Sequence, residues 1–412
     1  MFKKILPITI FSVFLILNSC RDADIQPTDA ETCQSGFGTI EDSVHHPRAK
    51  EFQAVLDKYV KLGLPGISVT IRDSSGLWRG SAGMADIVKN TKFTPCTVAK
   101  TASLTKIMIA ALTMKLVEDG TLNLDDKISK WIPQDIISKI ENADKATLRN
   151  LLNHTTGIYD HITGSDFYLA VLNHPDRKWK QEELLEFVYG KPAAYPFGEA
   201  NYSNTNTLLV SMILDKASGR NHGDLLKERI FEPLGMNNTF YYYYQDLPKN
   251  GIAQGYFDLY NNNTLVNVSN YNTGSGNGYT GVYSNVIDLQ VFIEALFKSK
   301  TLLKQSSLNE MMKFASTVEF HKYLGMGMIK DYIYDEEFVP GEYAYDHKLK
   351  PDEYAYGHRG RDLGYSADMF YFPVKGITLA ALVNYGTDAN SALRPKFYDF
   401  KYELADVALH KK

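Results

Sequence analysis

The chain has little of what a disulfide scaffold, a nucleic-acid binder or a membrane span requires. Only three of its 412 residues are cysteine, Cys20, Cys33 and Cys96, too few to staple a fold. Its net charge is −4 and no block of like charge occurs, so nucleic acid is not an expected partner. HExxH and paired-cysteine spacings are missing and the histidines are scattered, so neither a metal nor a cofactor is expected. No internal repeat is visible. The apolar stretch Ile5 to Leu17 falls short of the roughly twenty residues needed to cross a bilayer.

That stretch follows the basic start Met1-Phe2-Lys3-Lys4 and has the length of an export-signal core. It ends Leu17-Asn18-Ser19-Cys20, which resembles the lipobox of bacterial lipoproteins. There the cysteine becomes the lipid-bearing N-terminus. Residues 1–19 therefore read as a signal peptide, and Cys20 as a lipidation site anchoring the protein to the cell envelope, facing the periplasm or the exterior. Residues 20–46 are polar without apolar periodicity and read as a tether. An oxidising compartment would permit Cys33 and Cys96 to pair; two idle thiols are the alternative. Residues 47–412 are long for one simple core and suggest two lobes.

Phe52, Val55, Leu56, Tyr59 and Val60 recur at helical spacing from Ala49 to Leu62, closed by Gly63 and Pro65. Gly66 to Arg72 and Gly76 to Gly83 read as a hairpin around Asp73-Ser74-Ser75. The middle reads as helical, including Lys145 to Asn153, Gln181 to Tyr189, Thr205 to Ala217 and His222 to Phe231. Gly364 to Phe372 and Gly376 to Asn384 read as strands, with a final helix from about Pro395 to His410. The implied α/β (α+β) architecture is one antiparallel sheet, built from both chain ends (66–83 and 364–384) and flanked by helices. An all-α lobe over roughly 125–290 lies beside it, with the cleft between.

The most informative segment is Ser103-Leu104-Thr105-Lys106, followed by the apolar run Ile107 to Leu112. Residues three apart share a helix face, so the hydroxyl and the ammonium can meet. A serine becomes a useful nucleophile only with such a neighbour. Two further motifs follow: Tyr202-Ser203-Asn204, led by Pro196-Phe197-Gly198-Glu199, and His358-Arg359-Gly360. A second Tyr-Ser-Asn, Tyr283-Ser284-Asn285, reads as the start of a helix over Val286 to Phe297 with its tyrosine in the core.

Together with Leu148 to Gly157 and Pro233 to Thr239, these motifs resemble the serine β-lactamase-like enzymes, of the class C β-lactamase and DD-carboxypeptidase type. The resemblance spans about residues 49–410 and implies a β-lactamase/DD-peptidase-like fold. It implies Ser103, Lys106 and Tyr202 as catalytic residues and Asn204, His358, Gly360 and Arg361 as substrate-binding ones. The backbone N–H groups of Ser103 and Arg361 would hold the oxyanion. His154 is expected to be a scaffold histidine. Bringing a tyrosine from a pKa near 10 to 7 asks for about 4 kcal/mol of stabilisation, so Lys106 and Tyr202 both stand as proton acceptor. Arg359 and Arg361 are expected to alternate across their strand, so that at most one serves the cleft and a substrate carboxylate. The expected function is an acyl-enzyme-forming D-alanyl-D-alanine carboxypeptidase or related D-amino-acid peptidase. The alternatives are an esterase or β-lactamase, and a catalytically idle penicillin- or peptide-binding module. The run Tyr241 to Tyr244 suits either the outer cleft or lobe packing.

Overall fold

The computed structural model describes residues 45–317, 323–332, 353–387 and 391–410. The signal peptide, Cys20, Cys33 and nearly all of the tether lie outside these residues. Cys96 is disulfide-bonded. No helix among the described residues is long and apolar enough to cross a membrane.

Helix α1 (Ala49–Lys61) buries Phe52, Val55, Leu56 and Tyr59, one stripe at the 3.6-residue period. It leads into β1 (Gly66–Asp73), β2 (Gly76–Asp86) and β3 (Thr91–Lys92). The rest of the sheet comes from the far end of the chain. It comprises β4 (Ala315–Ser316), β5 (Tyr323–Gly325), β6 (Met328–Tyr332), β7 (Tyr354–Asp362), β8 (Tyr365–Phe372) and β9 (Ile377–Val383). The nine strands run antiparallel in the order β3-β2-β1-β9-β8-β7-β6-β5-β4. The two chain ends meet at the centre, where Ile67 lies opposite Val383.

Strand side chains alternate between faces, and both faces are covered. Ile67, Val69, Ile71, Leu379, Ala381 and Val383 pack with α1 and the terminal helix, Leu393–Leu409. Ala367, Met369, Ala380 and Leu382 join the core of the helical lobe. Through that core runs α2 (Thr105–Glu118), apolar nearly all round and buried from Thr105 to Met114, as a central helix must be. Gly120, at φ +75°, turns the chain after it. Also in the lobe are α3 (Asn204–Ser218) and α4 (Val286–Ile293), which continues as a π-helical turn over Glu294–Lys298. The terminal helix is α5.

The lobe is not wholly helical. A small sheet joins Ala99–Lys100, Val282–Ser284 and Phe240–Tyr241 and braces the segment before Ser103. Tyr283 is 2% exposed in that sheet, and Asn285 caps α4 by accepting from the Asp288 N–H at 2.9 Å. The second Tyr-Ser-Asn thus has a packing and capping role. Tyr241 is also in the core, stacked on Tyr244 at 5.6 Å.

Candidate active site

Ser103 sits in a 3-10 turn, Ala102–Leu104, one residue ahead of α2. Ala102 is held at φ +50°, which costs a non-glycine residue roughly 1–2 kcal/mol. Hydrogen bonds hold it there: Thr101 N–H and Oγ1 both donate to Val282 O at 2.8 Å, and Thr105 Oγ1 donates to Ala102 O at 2.7 Å. The result is a half-buried Ser103 hydroxyl at the wall of a cavity of about 430 Å³.

Lys106, 1% exposed, reaches back from the first turn of α2. Its Nζ donates to Ser103 Oγ and to Tyr279 O, each at 2.9 Å, and lies 5.0 Å from the Tyr202 ring centre. Burial pushes the Lys106 ammonium down to about 7, against the pull of the Asp160 and Asp362 carboxylates. Tyr202 is hydrogen-bonded to Ser103, and burial raises its phenol well above the ordinary value, outweighing that bond. Of the two candidate bases, Lys106 is therefore the one that loses its proton near neutrality.

Tyr202 is clamped between two imidazoles. His154 stacks on it at 4.8 Å and 29°, and His358, on β7 (Tyr354–Asp362), lies 5.9 Å away. His154 has φ +59°, and its Nδ1 meets the Ser203 N–H and Asn206 Nδ2, each at 3.3 Å. Both rings are pushed down to about 3, by burial first and then by Lys106. A neutral His358 donates from Nδ1 to Arg359 O at 2.6 Å, leaving Nε2 as an acceptor.

β7 brings the third motif to the serine. Gly360 packs so closely that a Cβ there would run into Thr101 O and Ala102. β6 pairs with β7 only over Tyr354–Gly357, so His358–Asp362 presents an edge that β6 leaves unpaired along the cavity. Arg359 and Arg361 depart from expectation. Being two apart, they share one face of β7 rather than alternating, and that face is turned toward α5. Arg359 pairs with Asp331. Arg361 binds Asp368 at 3.0 and 3.1 Å and lies 4.7 Å from the Phe397 ring centre. Both border the cavity, but each charge is already paired. With His358 neutral, the positive edge expected for a carboxylate is not formed by these residues.

Several site residues carried no recognised motif. Asp160 accepts from Asn204 Nδ2 at 2.9 Å. Asp362 pairs with Lys100 at 2.8 Å and takes Thr273 Oγ1 at 2.6 Å, tying β7 to the loop that carries Tyr279. The available signal was the alternation Gly274, Gly276, Gly278, all at positive φ, which marks a tight loop. Ile162, Phe167, Tyr168, Leu324 and Ile329 complete the cavity with an apolar wall.

A serine, a buried lysine and a tyrosine at the seam between an antiparallel sheet and a helical lobe define a serine hydrolase of the β-lactamase/DD-peptidase fold. The family model described as Beta-lactamase matches residues 52–401, and the chain belongs to that family. It is 28% identical over 265 residues to the D-alanyl-D-alanine-carboxypeptidase/endopeptidase AmpH of Escherichia coli K12, covering 64% of this chain and 66% of AmpH. It is 28% identical over 274 residues to the putative penicillin-binding protein PbpX of Bacillus subtilis, covering 66% of this chain and 64% of PbpX. Each match takes in just under two thirds of the relative. Among solved structures, a D-stereospecific amidohydrolase from Streptomyces sp. superposes with TM-score 0.72 at 25% identity, covering 87% of this chain and 97% of that one. The D-amino acid amidase of Ochrobactrum anthropi SV3, solved with L-phenylalanine amide, gives 0.71 at 24% identity, covering 87% and 97%.

Proposed function

We propose that the chain hydrolyses D-amino-acid peptides or amides through an acyl-enzyme on Ser103. The observation that carries this reading is the 2.9 Å contact between Ser103 Oγ and a lysine pushed down to about 7. Neutral Lys106 takes the hydroxyl proton as Oγ attacks the carbonyl carbon. Negative charge then develops on the carbonyl oxygen, and the backbone N–H groups of Ser103 and Arg361 receive it. Tyr202, protonated and bonded to Ser103, passes a proton to the leaving nitrogen as the C–N bond breaks. The proton on Lys106 then passes to the Tyr202 phenolate, which restores both groups. Water attacks the acyl carbon as Lys106 takes its proton, and Tyr202 returns a proton to Ser103 Oγ as the ester bond breaks, releasing the acid. A last transfer from Lys106 to Tyr202 resets the site.

Substrate class rests on the relatives: one is named a D-alanyl-D-alanine-carboxypeptidase/endopeptidase, one solved structure is a D-stereospecific amidohydrolase and one a D-amino acid amidase. The paired guanidinium groups of Arg359 and Arg361 favour an uncharged amide over a terminal carboxylate. Incubating the protein with D-phenylalaninamide, a D-Ala-D-Ala peptide and a reporter penicillin tests this, read by product release and intact mass. Turnover or a Ser103 adduct that disappears in Ser103→Ala is expected. The absence of both product and adduct would refute the reading.

We also propose attachment to the envelope through lipid on Cys20, from the sequence Leu17-Asn18-Ser19-Cys20. Metabolic labelling with a palmitate probe should be lost in Cys20→Ala; an unlabelled parent protein would exclude the anchor.

A further inference from the structure

We infer, taking Lys106 as the base proposed above, that Asp215, His222 and Tyr241 form a buried positioning chain that holds the Tyr279 carbonyl against Lys106. Lys106 Nζ donates to two oxygens, Ser103 Oγ and Tyr279 O, each at 2.9 Å. Ser103 Oγ becomes an ester oxygen on acylation, so the backbone carbonyl is the fixed point from which the base works. Tyr279 nevertheless sits on a segment that is loose by composition. Gly274, Gly276, Gly278 and Gly281 all have positive φ, from +84° to +117°. Glycine has the most conformational freedom to lose, so the carbonyl needs bracing from outside the loop. Asn277 Nδ2 supplies one brace, to Trp179 O at 3.0 Å. The others come from the three buried side chains.

The Gly278 N–H donates to Tyr241 Oη at 2.7 Å. His222 Nε2 is 3.1 Å from both Tyr241 Oη and Gly276 O. Across the ring, Nδ1 meets Asp215 Oδ1 at 2.8 Å, and the same oxygen takes the His222 backbone N–H at 2.6 Å. A carboxylate only accepts, so Nδ1 carries a proton. Nε2 then grips the loop in either protonation state. Bare, it accepts the Tyr241 O–H; protonated, it donates to Gly276 O. His222 and Tyr241 are fully buried, and burial holds the Tyr241 phenol well above its ordinary value, which keeps its O–H. Asp215 lies in the last turn of α3, so the chain ties the loop to the helix that begins with Asn204. None of the three lines the cavity, and each acts on the chemistry only through the loop. Apolar side chains would fill this space at less cost, since buried polar groups are tolerated only when bonded. Tyr241 thus has a task that phenylalanine could not perform.

The test is the pH profile of kcat/KM for 4-nitrophenyl acetate with the full chain, whose inflection is expected near 7. Tyr241→Phe removes one oxygen. With Gly278 released, the Tyr279 carbonyl no longer supports the ammonium, so the inflection should move down by about one unit. The high-pH plateau should fall about 10- to 100-fold as the base loses its place. The groups around Lys106, namely the carboxylates Asp160 and Asp362 and the neutral Tyr202, His154, His161 and His358, stay in place. A shift therefore reports the carbonyl. A merely structural role would lower the amount of active protein and leave the inflection where it was. Two further variants guard against misfolding of Tyr241→Phe. His222→Asn replaces Nδ1 and abandons the loop, so its inflection should also move down. His222→Gln sets an amide near Nε2 that can still donate to Gly276 O, so its inflection should stay near 7. Parental inflections in Tyr241→Phe and His222→Asn, or equal shifts in both His222 variants, would overturn the chain alone. A parent without an inflection near 7 would sink Lys106 as base, and the chain's role with it.

Discussion

Replacing Lys106 by methionine should abolish turnover and, at low pH, stabilise the fold. An unfolded lysine titrates near 10.5, whereas buried Lys106 does so at about 7. The native state therefore holds fewer protons than the unfolded state between these values, and stability falls as pH drops through that window. Below 7 the full penalty applies: the difference in pKa corresponds to about 5 kcal/mol, and at pH 9 about 2 kcal/mol remains. Methionine removes this penalty but leaves Tyr279 O without its 2.9 Å donor, a cost of about 1–3 kcal/mol. The net expectation is a gain of about 2–4 kcal/mol at pH 6 and near zero at pH 9. Urea denaturation of both proteins at the two pH values measures it, and the carbonyl cost cancels in the comparison. A change in stability that is equal at both pH values would refute the depressed pKa, and with it the case for Lys106 as base.

Other outcomes follow from the same geometry. kcat/KM for an activated ester should rise with pH as Lys106 loses its proton, with an inflection near 7; one near 10 would point to an unshifted group instead. Gly360→Ala drives a methyl group into Thr101 O, and displacing the β7 edge should cost about 10²–10³ in kcat, the usual worth of one oxyanion donor. An unchanged kcat would remove that edge from the mechanism. Arg361→Gln leaves Asp368 without its guanidinium, so a loss of about 3–5 kcal/mol in stability is expected. KM should move alike for carboxylate and carboxamide substrates, and a selective rise for the carboxylate would restore Arg361 as an anion binder.

Elements with strong periodicity were legible. The spacing of Phe52, Val55, Leu56 and Tyr59 foretold α1, and the glycine- and serine-rich turn at Asp73 foretold the hairpin. Ser103 and Lys106 were legible because their relation is local. Strands β4 to β6 were not: each is at most five residues long, and their pairing depends on distant neighbours rather than on pattern. The site's electrostatics were hidden for the same reason. Asp160 lies far in sequence from Lys106, and the shift in Lys106 comes first from burial, which no local motif encodes. The misplacement of Arg359 and Arg361 was of another kind. Residues two apart in a strand fall on one side, so their common orientation was readable in principle.

The meeting of the two chain ends at the sheet centre governs the order of assembly. Ile67 waits for Val383, and α1 packs beside α5, so the middle layer cannot close until almost the whole polypeptide is available. Contacts of such sequence separation form slowly, because the intervening loop must first be closed. The lobe around α2 and α3 draws on nearer neighbours and can collapse first. Ser103 and Lys106 would then be present in a partly built molecule without Gly360 beside them. Such an intermediate has a nucleophile and a base but no finished oxyanion site, so reactivity arrives last, with the C-terminal strands. A chain cut short before β9 should accordingly be inert even where its helical portion has formed.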